Sequence, residues 1–183
     1  MSEIPEELKK DVNVVVREDK MVYTINSRST ASLSVYIAVT ILNNQGKHYA
    51  QRTVGYDKLR KITSIKANVY DAAGNLIKKV KPSEINDRSA FDGFSLYSDN
   101  RYKSIDLTQG SYPYTIEFEY AVEYKFLYGI DGTYLISGEK ASVQHVSYEL
   151  IFPSELAPRF KVLNINAVPV RSLTEKGMQS LSW

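Results

Sequence analysis

Residues 112–125 read Y-P-Y-T-I-E-F-E-Y-A-V-E-Y-K. Tyr114, Ile116, Phe118, Tyr120, Val122 and Tyr124 fall on one side of an extended chain. Thr115, Glu117, Glu119, Ala121, Glu123 and Lys125 fall on the other. Successive side chains of a strand point to opposite faces, so this alternation predicts a long β-strand with one face in a core and one in water. Pro113 stands near its start, where a missing ladder donor is tolerated.

Strand signals continue on both sides. Leu33, Val35, Ile37, Val39 and Ile41 alternate with Ser32, Ser34, Tyr36, Ala38 and Thr40. Upstream, Val12, Val14 and Val16 form one alternating run, and Met21, Tyr23 and Ile25 another. Glu18-Asp19-Lys20 between them is polar, which predicts a hairpin. Residues 62–70 are β-rich, and Asp71-Ala72-Ala73-Gly74-Asn75 reads as a hairpin turn into Leu76-Ile77. Further strands are expected over 49–56, 101–107 and 143–152, near 134–136, and as a pair or one bent strand over 160–171. Asn43-Asn44-Gln45-Gly46-Lys47 and 57–61 read as turn and loop, 82–85 as one helical turn, and 2–10 as a short helix anchored by Leu8. The tail after 171 reads as polar, and 86–100 as a long polar and aromatic loop without a period. Many strands, tight turns and almost no helix predict an all-β fold, a mostly antiparallel β-sandwich forming one domain over 1–183.

Composition narrows the function. The chain has 183 residues, 43% hydrophobic and 24% charged, which suits one self-sufficient core. The net charge is only +2 and no basic block stands out, so attraction to nucleic acid or an anionic membrane is not indicated. With no cysteine, disulfides, thiolate catalysis and sulfur-ligated zinc are excluded. No apolar run has the length of a transmembrane segment, and Met1-Ser2-Glu3 does not open a signal peptide. The end at Leu181-Ser182-Trp183 reads as a cut, so this chain is expected to be the N-terminal fragment of a longer protein. Fourteen tyrosines against six phenylalanines suit strand positions whose rings are packed and whose hydroxyls are wet.

Chemical motifs are few. His48 and His145 are far apart and lack carboxylates at ligand spacing, so no metal and no cofactor are expected. Serine, histidine and aspartate all occur, but no G-x-S-x-G is present. Glu117, Glu119 and Glu123 share one strand face, with neighbours about 6.6–7 Å apart by strand rise. That overlaps the spacing of inverting glycosidases; the plainer reading is a solvated face paired across to cations such as Arg101 and Lys103. No catalytic residue is assigned. The aromatic loop supplies the candidate contact surface, Phe91, Phe94, Tyr97, Arg101 and Tyr102, either a platform for peptide or glycan or a lid on the domain's own core.

The motifs Y-D-K-L-R-K-I (56–62), Y-D-A-A-G-N (70–75), F-S-L-Y-S-D-N-R (94–101) and S-Y-P-Y-T-I-E (111–117), taken in order, complete a pattern. It resembles a bacterial domain family of unknown function, common in Bacteroidetes, that lies N-terminal to a transglutaminase-like domain. The resemblance implies a β-sandwich module of an exported, periplasmic or envelope-associated protein, whose partner is a Cys-His-Asp domain further along the same protein. It supplies no catalytic residues. The expected function is a non-catalytic accessory or interaction module; the alternative is a free-standing glycan- or peptide-binding module.

Overall fold

The computed structural model describes residues 4–90, 99–133, 138–163 and 167–183. In chain order the strands are β1 (Val14–Ile25), β2 (Ala31–Ile41), β3 (Gln51–Tyr56), β4 (Arg60–Tyr70), β5 (Leu76–Lys79) and β6 (Asn86–Ser89). There follow β7 (Arg101–Asp106), β8 (Tyr114–Tyr124), β9 (Ala141–Val143), β10 (Val146–Phe152), β11 (Val170–Leu173) and β12 (Gln179–Ser182). Helical structure among the described residues is limited to 3-10 segments at Glu6–Lys9, Asn44–Ala50, Pro82–Glu84 and Ser154–Leu156. The fold is all-β, as expected.

Nine strands form one sheet in the order β11-β12-β10-β1-β2-β8-β4-β5, with β9 beside β1; β3-β7-β6 form a second. The run that opened the sequence reading is thus an interior strand, with β2 on one side and β4 on the other. All its partners are antiparallel. Only β9 and β10 run parallel, both to β1. Register stacks one apolar row across the large sheet: Ile116 stands between Val39 and Val69, and Phe118 between Ile37 and Ala67. These residues meet Ala50, Val54, Ile105 and Leu107 of the small sheet and its approaches in one core.

The predicted hairpin within 12–25 is instead one twelve-residue strand. The sequence does switch its apolar parity there, from Val14 and Val16 to Met21, Tyr23 and Ile25. A bulge, with register shifting between Val16 and Glu18, makes that switch without reversing the chain. Asp19 thereby takes an inward position opposite Ile37. Strand β4 uses the same device between Ile62 and Ser64. The predicted strand over 143–152 is interrupted at the same level, and Gln144 N–H donates to Val16 C=O at 2.8 Å. Beside it His145 Nδ1 lies 2.8 Å from Glu18 Oε1 on the surface, a structural contact.

Other corrections are local. Residues 86–89, expected as loop, form β6 against β7, although all four side chains are exposed. Arg60 and Lys61 belong to β4 rather than a loop. The tail is not merely polar: β12 pairs with both β10 and β11, and Leu181 is only 2% exposed. Of the strand pair expected over 160–171, Val170–Leu173 is strand, whereas 160–163 is not. The expected strand at 134–136 lies outside the described residues.

One glycine is dictated by packing. A Cβ on Gly46 would lie 2.5 Å from Val14 Cγ1 and 2.7 Å from Asn13 C=O, so the 3-10 segment docks on β1 only with hydrogen there. The Asp71–Asn75 turn behaves as expected. Asp71 Oδ1 accepts from Ala73 N–H at 2.9 Å and Asn75 N–H at 2.8 Å, and Gly74 has φ +85°. The N-terminal segment lies on the domain, where Ser142 Oγ donates to Leu8 C=O at 2.5 Å. Its Ile4 and Lys9 line one recess with Thr40 and Thr115, whose hydroxyls pair at 2.8 Å out of water, and Val15 on the same face is fully buried.

Candidate functional site

The predicted contact surface divides. Phe91, Phe94 and Tyr97 lie outside the described residues. Arg101 and Tyr102 are consecutive on β7 and therefore point to opposite faces of the small sheet. Arg101 is already engaged. Its Nε donates to Tyr56 Oη at 2.9 Å and to Asp87 Oδ1 at 3.0 Å, while Tyr56 Oη–H donates to the same carboxylate at 2.7 Å. Tyr56 stands directly across from Arg101, and Asp87 is on the other neighbouring strand. The Tyr56 hydroxyl first, and Arg101 with it, hold the Asp87 carboxyl below its ordinary range. The cluster reads as a cross-strand clasp that joins β3, β7 and β6.

The glutamate face has different partners from those expected. Glu119 pairs with Lys66 of β4 at 3.2 Å; Arg101 and Lys103 belong to the other sheet. Glu117 accepts from Tyr36 Oη–H at 2.8 Å, Tyr70 Oη–H at 2.7 Å and Asn68 Nδ2 at 3.3 Å. Partial burial pushes its pKa up, but these donors outweigh burial and the net direction is down. An ionised carboxylate saturated by donors has no proton to give, so it is poorly suited to general acid catalysis. Stability from Glu117 is fully present above the ordinary carboxylate range and is lost as pH falls through its lowered value. Glu117→Gln should therefore cost about 1 kcal/mol at neutral pH, a figure discounted for its exposure. Urea melts at pH 7 and pH 3 would show this difference shrinking towards zero at the acid end.

Tyrosines explain themselves on the opposite side of the sheet. Tyr23 Oη–H donates to Gly129 C=O at 3.0 Å and Tyr148 Oη–H to Asp131 C=O at 2.8 Å. Tyr124 Oη–H donates to the Asp131 carboxylate. Side chains from β1, β10 and β8 thus fasten one stretch of the connection between β8 and β9. Burial, with the Asp131 charge contributing, pushes the Tyr23 and Tyr148 hydroxyls up to about 12, so both are donors at neutral pH.

An exposed apolar surface lies at one end of the large sheet. Among the described residues β11 is its terminal strand and has a partner on one side only. Val168, Val170 and Leu173 are 85%, 69% and 66% exposed. Nearby, Phe160 meets Trp183 edge to face, ring centroids 5.4 Å apart, and Trp183 in turn meets Tyr148. Phe160, Leu163, Trp183 and Tyr148 line one shallow groove there. Sequence reading placed an edge at Pro169 but did not join it to Trp183, because the two meet only through β12. It also did not pick out Asp19 or Arg52, whose side chains both line a cleft between the sheets.

Among the described residues, no cluster of three or more His, Asp or Glu side chains is placed to hold a metal ion. No helix among them is long and apolar enough to cross a membrane.

These features define a β-sandwich domain with one engaged polar face and one uncovered apolar rim. The chain belongs to the DUF3857 family, described as a domain of unknown function with solved structure, whose pattern matches residues 27–183. No curated protein matches it. Its fold is similar to part of a "putative protease" from Parabacteroides distasonis, with TM-score 0.76 at 12% identity over 93% of this chain and 35% of that one. Lower similarities are to Legionella pneumophila aminopeptidase A, with TM-score 0.48 at 14% identity over 95% of this chain and 20% of that one, and to an M1 zinc metallopeptidase from Deinococcus radiodurans, with TM-score 0.40 at 10% identity over 94% of this chain and 39% of that one. The chain therefore spans about a third of the length of the Parabacteroides protein.

Proposed function

We propose that this domain is a non-catalytic accessory module of an exported protein, and that it packs against a transglutaminase- or protease-like domain of the same polypeptide. The observation that carries this reading is the exposed apolar side chains of Val170 and Leu173 on the edge strand β11, with Val168 just before it. An exposed apolar edge strand invites pairing with other chains and is normally blunted by charge or covered. Here Arg171 is the one charged residue of the four in β11. Covering the rim and the adjoining groove would remove both the hazard and the exposed apolar area. The fold match within a chain about three times as long supports a neighbour from the same polypeptide.

A second reading, capture of an extended peptide, is favoured by the unpaired backbone of β11, which offers strand addition. Hydrogen exchange separates the two. In the full-length native polypeptide, amides at 170–173 should exchange at least about tenfold more slowly than in the 183-residue chain alone, tenfold being a modest difference in opening free energy. Equal rates in both, or a native reading frame that ends at Trp183, would overturn the docking reading. Protection appearing only on addition of peptide would favour strand addition.

A further inference from the structure

Two opposite charges face one cleft between the sheets without meeting. The bulge in β1 turns Asp19 inward, opposite Ile37. Arg52 reaches in from β3, on the same face of the small sheet as buried Val54 and directly across from buried Ile105. Both side chains line a cleft of about 400 Å3, with Ile37, Tyr49, Tyr120 and Thr133 also in its lining. The volume falls within the range of small-molecule sites, roughly 300–1,000 Å3.

Neither charge is well satisfied. Arg52 Nε is buried and has no hydrogen-bond partner. No ion pair joins it to Asp19, whose bond from Thr133 Oγ1 is long, at 3.5 Å. Burial lowers the Arg52 pKa and raises that of Asp19, each opposed by the other's charge. The fold thus keeps a partly dehydrated cation and anion side by side and apart, which is costly unless something with matching charges sits between them.

The charges select the ligand. An anion alone would bind Arg52 but face the Asp19 carboxylate. A cation alone would leave Arg52 Nε without an acceptor. A molecule carrying both groups a few bonds apart answers both, and the planar guanidinium suits a carboxylate in particular. Val35, Ile37 and Val39 in the lining offer apolar contact to a small side chain. We propose that this cleft binds a small zwitterion, a free α-amino acid or a dipeptide, with Arg52 taking its carboxylate and Asp19 its ammonium group. The cleft shares Thr133 with the groove beside Trp183 but none of Val168, Val170 and Leu173, and the proposal does not rest on the docking reading.

Calorimetric titration of the 183-residue chain with L-alanyl-L-alanine and with L-leucine, at neutral pH, tests the proposal. Saturable binding in the millimolar range or tighter is expected for at least one. The N-acetyl and the C-terminal amide forms of that ligand should each bind at least about tenfold more weakly. Arg52→Met should abolish binding, and Arg52→Lys, which keeps charge without the fork, should weaken it. Asp19→Asn should weaken the free ligand while leaving the N-acetyl form unaffected. Thermal melts show which variants are folded; the blocked ligands test the same point on the wild-type chain should a variant unfold. Absence of saturable binding for both ligands would overturn the proposal. So would equal affinity for free and blocked forms, or unchanged affinity in a folded Arg52→Met chain; a water-bridged structural pair predicts no saturable binding.

Discussion

Phe118→Ala should lower the stability of the domain by about 3–5 kcal/mol, towards the upper end of what a core truncation costs. Phe118 is 3% exposed, on the interior strand β8, between Ile37 of β2 and Ala67 of β4. The ring contacts Tyr120, centroids 5.5 Å apart. Two features prevent the hole from closing. The backbone on both sides is tied by ladder hydrogen bonds, and the neighbour at Ala67 is too small to swing in. For a chain of this size each kcal/mol moves the melting point by about 2–4 °C, so a fall of roughly 6–20 °C is expected. Urea unfolding should show a lower midpoint with an unchanged slope. A loss below about 1 kcal/mol would mean that the ring is not part of the packed core.

Leu181→Asp is expected to be comparably severe, about 4 kcal/mol at neutral pH, because it puts an unpaired carboxylate where leucine is buried. Leu181 pairs with Leu150 across β10 and belongs to the main core. Its loss has a ceiling that Phe118 lacks. β12 and β11 are the last strands of the large sheet, so the chain can peel them away instead of burying the charge. Peeling would release Trp183 from Tyr148 and Phe160, and the tryptophan emission should shift red before the global transition. The pH dependence has a fixed sign. Burial raises the new carboxyl's folded pKa above its unfolded value, so the defect is smallest below about pH 4 and grows as pH rises towards the folded value. A neutral-pH defect under about 1 kcal/mol would place β12 outside the core.

How far each strand was legible follows from how it buries its side chains. β2 and β8 alternate apolar with polar or small residues along most of their length, so their residues announce both the strand and its inner row, although Ala38, Thr40 and Thr115 of the outer face are buried as well. β1 is also rich in apolar residues, but a bulge shifts its parity, and a parity shift in sequence looks like a turn. β6 has no buried side chain, so no hydrophobic pattern marks it. It exists because its backbone pairs with β7. β12 carries one leucine among polar residues, and is core only because β10 lies beside it. The proposed contact loop was legible as an anomaly of composition. Of its residues the structure describes Arg101, which its own neighbours engage, and Tyr102 on the opposite face.

By itself the sequence determined the fold class, the interior strand with its apolar row, the turn at 71–75, the helical turn read at 82–85 and found at 82–84, and the lack of cysteine chemistry. Those are properties of residues near one another along the chain, where period, turn chemistry and residue type act directly. Only the tertiary structure decided that two strands run parallel to β1, that Glu117 is held by tyrosines from both neighbouring strands, and that β11 is left as an apolar edge. It alone brought Asp19 and Arg52, 33 positions apart in the sequence, to one cleft. Strand order and register depend on which distant segments bury the most apolar surface together, and no local pattern carries that information.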